Sequence, residues 1–121
     1  MIQRLQLEHW RAYDELDLEF GPGATYVVAS NGIGKTSLIM GAAWGLLGDA
    51  SEVNAAEQIR GDAENATVRV VVRLPSGESL AITRSVSRKG RVELSAELGE
   101  RVITTQDELD ELLATSSGAD A

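Results

Sequence analysis

The sequence predicts an α/β fold: a mixed sheet, much of it an antiparallel meander, packed against one long apolar helix. Three observations predict it. Short runs alternate apolar and polar residues, around Leu5 and Leu7, around Leu16 and Leu18, and in three further stretches between 68 and 98. A period of two marks strands with one wet face. Turn-forming residues separate these runs, "PSGE" and "RKG" among them. Between the two sets lies "SLIMGAAWGLLG", whose apolar residues recur at helical spacing.

The chain has 121 residues, a formal net charge of −8 and no cysteine. One domain fits this length, and its core needs no covalent staple. We expect the domain to cover residues 1–114 and a disordered tail to cover 115–121. The missing cysteine excludes disulfides, thiolate zinc sites and cysteine nucleophiles. No apolar run approaches the roughly 20 residues that cross a bilayer. The start, "MIQRLQLEHW", lacks a secretory signal pattern. The expectation is a soluble cytoplasmic protein without membrane contact, nucleoid association being an option. Its acidity gives no global attraction to nucleic acid.

In chain order, Leu5 and Leu7 alternate with Arg4, Gln6 and Glu8, and Leu16, Leu18 and Phe20 with Glu15, Asp17 and Glu19. Two strands follow, with "RAYDE" as the hairpin connection. "GPG" at 21–23 turns the chain, and "ATYVVA" at 24–29 predicts a central strand buried on both faces. A helix is expected from near Lys35, carrying Leu38, Ile39, Ala42, Ala43, Leu46 and Leu47 inward, with Gly48 as C-terminal cap. Gly41 and Gly45 each cost about 1 kcal/mol against alanine inside a helix. Close approach of a neighbouring backbone would offset that cost. "AAEQIRG" allows one short helix. Val68, Val70, Val72 and Leu74, then Leu80, Ile82 and Val86, then Val92, Leu94, Ala96 and Leu98 predict the meander. Thr105 and Glu108 form a capping box before Leu109, Leu112 and Leu113.

The stretch "VVASNGIGKTSLI" holds the chemistry. It matches the phosphate-loop pattern G-x-x-x-x-G-K-[ST] except at its first position, Ala29, where a small residue at a strand end serves if φ is negative. Polyphosphate binding needs many donors in a small volume. Backbone amides around Gly32, Ile33 and Gly34 and the positive end of the helix dipole provide them. Lys35 would reach the β- and γ-phosphates, and Thr36 would hold Mg²⁺. Ser37 in the first turn is a candidate for the α-phosphate, and Asn31 for the γ-phosphate or attacking water. ATP and Mg²⁺ are the expected cofactors. The alternative is a structural strand–turn–helix with a fortuitous lysine.

Hydrolysis needs a second carboxylate motif, four apolar strand residues ending in Asp. "ELDLEF", "VRVVVR" and "WGLLGD" all fail that pattern. No catalytic residue is therefore assigned. Three other functions stay open: a nucleotide-gated protein-interaction module, a small kinase with a second substrate pocket, and an interaction domain whose loop is dead.

The feature order resembles the N-terminal lobe of ABC-type ATPase heads in the structural-maintenance-of-chromosomes (SMC), RecF and RecN group. The group includes double-strand-break repair ATPases and phage-defence proteins. "LQLEHWRAYDELDLEF" is similar to the opening strands, with their aromatic-Arg pair. "GPGATYVVASNGIGKTSLIMGAAWGLLGD" is similar to the loop and first helix, and "EQIRGDAENATVRVVVRL" with "SLAITRSVSRKG" to the following meander. The resemblance spans roughly residues 1–113. It implies a P-loop NTPase lobe of an ABC-type head, completed by a C-terminal lobe with the signature, second carboxylate and switch motifs. It also implies a second head engaged in a homodimer on ATP binding, and DNA as the target of the complete assembly. By resemblance Arg11 lies near the nucleotide phosphates, and Arg60 near the nucleotide edge or dimer interface. A surface role remains the alternative for each. Gln106 falls in the capping box and is not assigned as the family's Mg²⁺-contacting glutamine.

Arg84, Arg88, Lys89 and Arg91 gather around one hairpin tip. A solvated turn is expected there, with contact to DNA phosphates the competing function. His9 has no partners at metal spacing and is read as structural. Trp10 and Trp44 are expected in the core.

Overall fold

The computed structural model describes residues 2–11, 13–19 and 32–116, with side chains except at 32–35, 49–50 and 115–116. The expected strand at 24–29, the departure at Ala29 and the candidate Asn31 lie outside the described residues. Strand β1 (Ile2–Trp10) pairs with β2 (Tyr13–Glu19) on one side and β3 (Asn65–Arg73) on the other. Strands β4 (Ser79–Ser87), β5 (Val92–Leu98) and β6 (Arg101–Ile103) continue the sheet in the order β2-β1-β3-β4-β5-β6. All five pairings among the described strands are antiparallel. The meander stands as expected, with β6 as an added edge too short to announce itself by alternation.

The expected "RAYDE" connection is shorter than the sequence suggested. Trp10 pairs directly with Tyr13, so only Arg11 and Ala12 link the strands. His9 and Arg11 both take positive φ, 54° and 51°. Those turns interrupt the alternation of β1, and Trp10 rather than His9 is buried beside Leu5 and Leu7. Such conformations cost a non-glycine residue free energy and persist where surrounding contacts enforce them.

One face of the sheet is the core: Leu5 and Leu7 of β1, Val68, Val70 and Val72 of β3, Leu80, Ile82 and Val86 of β4, and Ala96 of β5. Helix α1 (Gly32–Leu47) lies on it. It begins three residues earlier than expected, at Gly32 rather than near Lys35. Gly41 and Gly45 in its interior meet side chains, not backbone. A Cβ at Gly41 would lie 2.7 Å from Leu7 Cδ2, and one at Gly45 would lie 2.6 Å from Val70 Cγ2. Glycine there lets the helix settle onto branched side chains, which offsets its conformational cost. Ile39 and Leu47, expected inward, are 61% and 46% exposed. Gly48 ends the helix at φ 57°, as a C-terminal cap should.

Two 3-10 turns follow, Gly48–Ser51 and Ala55–Gln58, the second being the short helix expected in "AAEQIRG". Helix α2 (Gln106–Ser116) is capped as the sequence implied: the Glu108 amide donates to Thr105 Oγ1 at 3.3 Å. It extends two residues into the segment expected to be disordered, and 117–121 lie outside the described residues. Leu109 is buried. No described helix is long and apolar enough to cross a membrane.

Arg84 departs from the expected basic hairpin tip. Its position on β4 has core parity, between Ile82 and Val86, and the side chain is 3% exposed. Nε and Nη2 donate to the carbonyl of Gly45 at 3.4 and 3.2 Å. Its guanidinium carbon lies 5.9 Å from the ring centroid of Trp44. A cation thus stands at the carbonyl end of α1, where the helix dipole favours one and where the last turn has no basic residue. Arg88 is also engaged, donating to the carbonyls of Ala63 and Gly61. Arg91 lies 4.0 Å from Glu93, and Lys89 is exposed at the turn. The patch therefore divides into one buried cap, one loop clamp and two surface residues.

Candidate nucleotide site

The first turn of α1 is built by Gly32, Ile33, Gly34 and Lys35. It contains no acidic residue, so its leading amides and dipole present only positive character. Thr36 is exposed and Ser37 is fully buried. Burial of Ser37 follows from its place one turn in, against the end of β1. Trp10 Nε1 donates to the Ser37 carbonyl at 3.1 Å. The Trp10 ring stacks on Trp44 with centroids 5.3 Å apart and planes at 16°. Both tryptophans are core residues, as expected, and they tie the end of β1 to α1.

Arg11 follows Trp10 and comes to the same turn. Its Nε donates to Ser37 Oγ at 3.3 Å, and its Nη1 to Gln58 Oε1 at 2.5 Å. The structure thus brings Arg11 and Ser37 together, two candidates that are 26 residues apart in sequence. The backbone explains why. Trp10 forms an isolated antiparallel bridge with Ile59. The Arg11 amide donates to the Gln58 carbonyl, and the Arg60 amide to the His9 carbonyl, both at 2.8 Å. Arg60 sits beside this bridge, its Nη1 donating to the Arg11 carbonyl at 3.0 Å. Sequence reasoning missed Gln58. No local signal pairs it with a residue 47 positions away; only its adjacency to Ile59 and Arg60 places it.

The arrangement collects donors: helix amides, one guanidinium on the second turn at Ser37 and another guanidinium behind it. A donor set with no carboxylate at the helix start suits an anion with several oxygens. No group of three or more His, Cys, Asp or Glu among the described residues is placed to hold a metal ion. His9 lies 3.6 Å from Asp14 and 3.9 Å from Glu8, contacts of a surface hairpin.

The opposite face of the sheet carries an open groove of about 520 Å³, lined by Gln6, Glu8, Glu15, Asp17, Thr67 and Arg69 among others. It is on the far side of the sheet from α1, and two of its polar side chains are tied to neighbours. Arg4 Nη2 meets Asp17 Oδ2 at 2.5 Å, and Arg69 Nη1 donates to Gln6 Oε1 at 3.0 Å. The hydrogen bond from Arg4 holds the Asp17 carboxyl below its ordinary pKa, and the same contact raises that of Arg4.

Comparison with known proteins agrees with this geometry. The chain belongs to the AAA domain family, whose model matches residues 4–120. Structural maintenance of chromosomes protein 6 of Schizosaccharomyces pombe is 27% identical over 127 residues, covering 93% of this chain and 11% of that protein. The DNA replication and repair protein RecF of Paenarthrobacter aurescens is 50% identical over 38 residues, 31% of this chain and 10% of that protein. The chain therefore spans about a tenth of the length of these relatives.

Among solved structures, one from work on ATP-driven dimerization and DNA-stimulated activation of SMC ATPases superposes with a TM-score of 0.72 at 24% identity, covering 95% of this chain and 78% of that one. The Smc head domain with an extended coiled coil derived from Pyrococcus furiosus, bound to the C-terminal domain of ScpA, gives 0.71 at 24% identity, covering 95% and 33%. These superpositions establish the shared fold.

Proposed function

We propose that the chain is the Mg-ATP-binding part of an ATPase that works on DNA. The observation that carries this is Arg11, held by its Nε against Ser37 at an acid-free helix start. Asn31, Gly32, Ile33, Gly34, Lys35, Thr36, Ser37 and Arg11 form the proposed site. Amides of 32–34 surround the β-phosphate, and Lys35 bridges toward the γ-phosphate. The Thr36 hydroxyl is the proposed ligand of Mg²⁺, and Arg11 adds positive charge on the β1 side. Magnesium, when bound, offsets phosphate charge.

The chain's own residues supply binding without a general base. Hydrolysis is therefore proposed for an assembly completed by a C-terminal lobe carrying the second carboxylate. The short span of this chain against its relatives supports that division. ATP-driven pairing of two heads, and DNA as the target, are proposed from the kinship with SMC ATPases and RecF proteins.

Titration of this chain with Mg-ATP tests the reading. Saturable binding, abolished by Lys35→Ala and weakened without Mg²⁺, is expected, with negligible phosphate release. Adding a matching C-terminal lobe should restore turnover. Absence of binding would overturn the nucleotide site. Steady release by the chain alone, lost in Lys35→Ala, would overturn the division of labour.

A further inference from the structure

We infer that Gln58 is a positioning residue for the nucleotide site, setting where the Arg11 guanidinium stands. The inference rests on the nucleotide-binding reading and adds a residue to it. The backbone creates the pairing. In the antiparallel bridge between Trp10 and Ile59, Arg11 stands opposite Gln58 and His9 opposite Arg60. Trp10 and Ile59 are buried, at 0% and 7% exposure. The flanking pair therefore turns to the other side of the bridge, where Arg11 and Gln58 meet as direct cross-strand neighbours.

The side-chain amide is oriented by its other end. Gln58 Nε2 donates at 3.1 Å to the carbonyl of Asn54, the residue just before the 3-10 segment. That leaves Oε1 toward Arg11, which donates to it from Nη1 at 2.5 Å. The guanidinium is thus held at two points, Nε on Ser37 and Nη1 on Gln58. A planar fork fixed at two corners keeps its place and loses little further freedom when an anion arrives. Gln58 is also neutral. A carboxylate in its place would hold the arginine equally well but would bring negative charge beside the phosphates. An amide gives the acceptor oxygen without that repulsion.

The test has two arms on the full 121-residue chain. Without nucleotide, the Arg11 Nε–H signal in ¹⁵N NMR should be sharp and slowly exchanging in the parent chain. It should collapse into the solvent-exchanging arginine envelope in Gln58→Met, which keeps the side-chain length but removes the acceptor, and should return in Gln58→Glu. With Mg-ATP, Gln58→Met should bind about tenfold more weakly, as expected for loss of a hydrogen bond to a charged group. Gln58→Glu should also bind weakly despite its restored signal. Combined with Arg11→Ala, Gln58→Met should add no further loss.

An Arg11 signal unchanged by Gln58→Met would overturn the positioning role, as would additive losses in the double variant. If Gln58→Met shows the signal change but the parent chain never binds Mg-ATP, the nucleotide reading falls and takes the proposed role of Gln58 with it. Normal binding by Lys35→Ala would implicate a different site and overturn both.

Discussion

Trp10 and Trp44 lie stacked with ring centroids 5.3 Å apart, joining the last residue of β1 to the last turn of α1. Trp10 also donates to the Ser37 carbonyl, so one side chain both packs and aligns the first turns of the helix. Replacing Trp10 with Phe keeps an aromatic ring and removes the donor. A loss of about 1–3 kcal/mol in urea unfolding is expected, since the buried carbonyl forfeits that donor. Trp44→Ala removes the ring from a site 2% exposed and should cost about 3–5 kcal/mol.

Gly45→Ala separates helix propensity from packing. In an exposed helix the change would stabilise by about 1 kcal/mol. Here the new methyl would lie 2.6 Å from Val70 Cγ2 and 2.9 Å from Val68 Cγ1. We expect a net destabilisation of about 1–3 kcal/mol from overpacking. Pairing it with Val70→Ala should recover part of that loss, and a double-mutant cycle by chemical denaturation would show the coupling.

Arg84→Met tests the rear anchor of α1. Methionine fills much of the same volume but gives nothing to the Gly45 carbonyl and no cation to the Trp44 face. A loss of about 1.5–3 kcal/mol is expected, the range for hydrogen bonds from a charged group. Calorimetric unfolding would measure it. An unchanged midpoint would show that burying the guanidinium costs as much as its contacts return.

Acid sensitivity should report on the outer face. The pKa of Asp17 is lowered by its hydrogen bond from Arg4. Its stabilising contribution is therefore present above the ordinary carboxylate pKa and is lost as pH falls through the depressed folded-state value. Asp17→Asn should lower stability at neutral pH by a small amount, as exposed pairs do. Parent and variant should converge in strongly acidic solution, as denaturation midpoints from pH 7 down to pH 2 would show.

The meander was legible because its turns and alternation are local. Val68, Val70 and Val72 are buried as their spacing implied. The capping box at Thr105 was equally local. The misplaced residues depend on tertiary contact. Arg84 looks like one of four hairpin cations, yet its parity on β4 sends it under the sheet to the end of α1. Charge suggested a surface, and strand periodicity alone would have suggested burial. Ile39 and Leu47 belong to a helix apolar around much of its circumference, so spacing could not tell its packed side from its exposed one. For the proposed site, the motif singles out residues at the start of α1. The partners Arg11 and Gln58 meet only through the Trp10–Ile59 bridge, a contact no short pattern encodes.

The strand order has a kinetic consequence. Strand β1 sits between β2, its immediate successor, and β3, which returns only after α1 and the loop beyond it. Completing that side of the sheet requires the intervening excursion to close first, so the docking of α1 and the β1–β3 ladder should form in one step. Deuterium uptake should then release the amides of Leu7, Val68 and Trp44 together, at the slowest rate in the molecule. Those of β6, a three-residue margin, should exchange long before them.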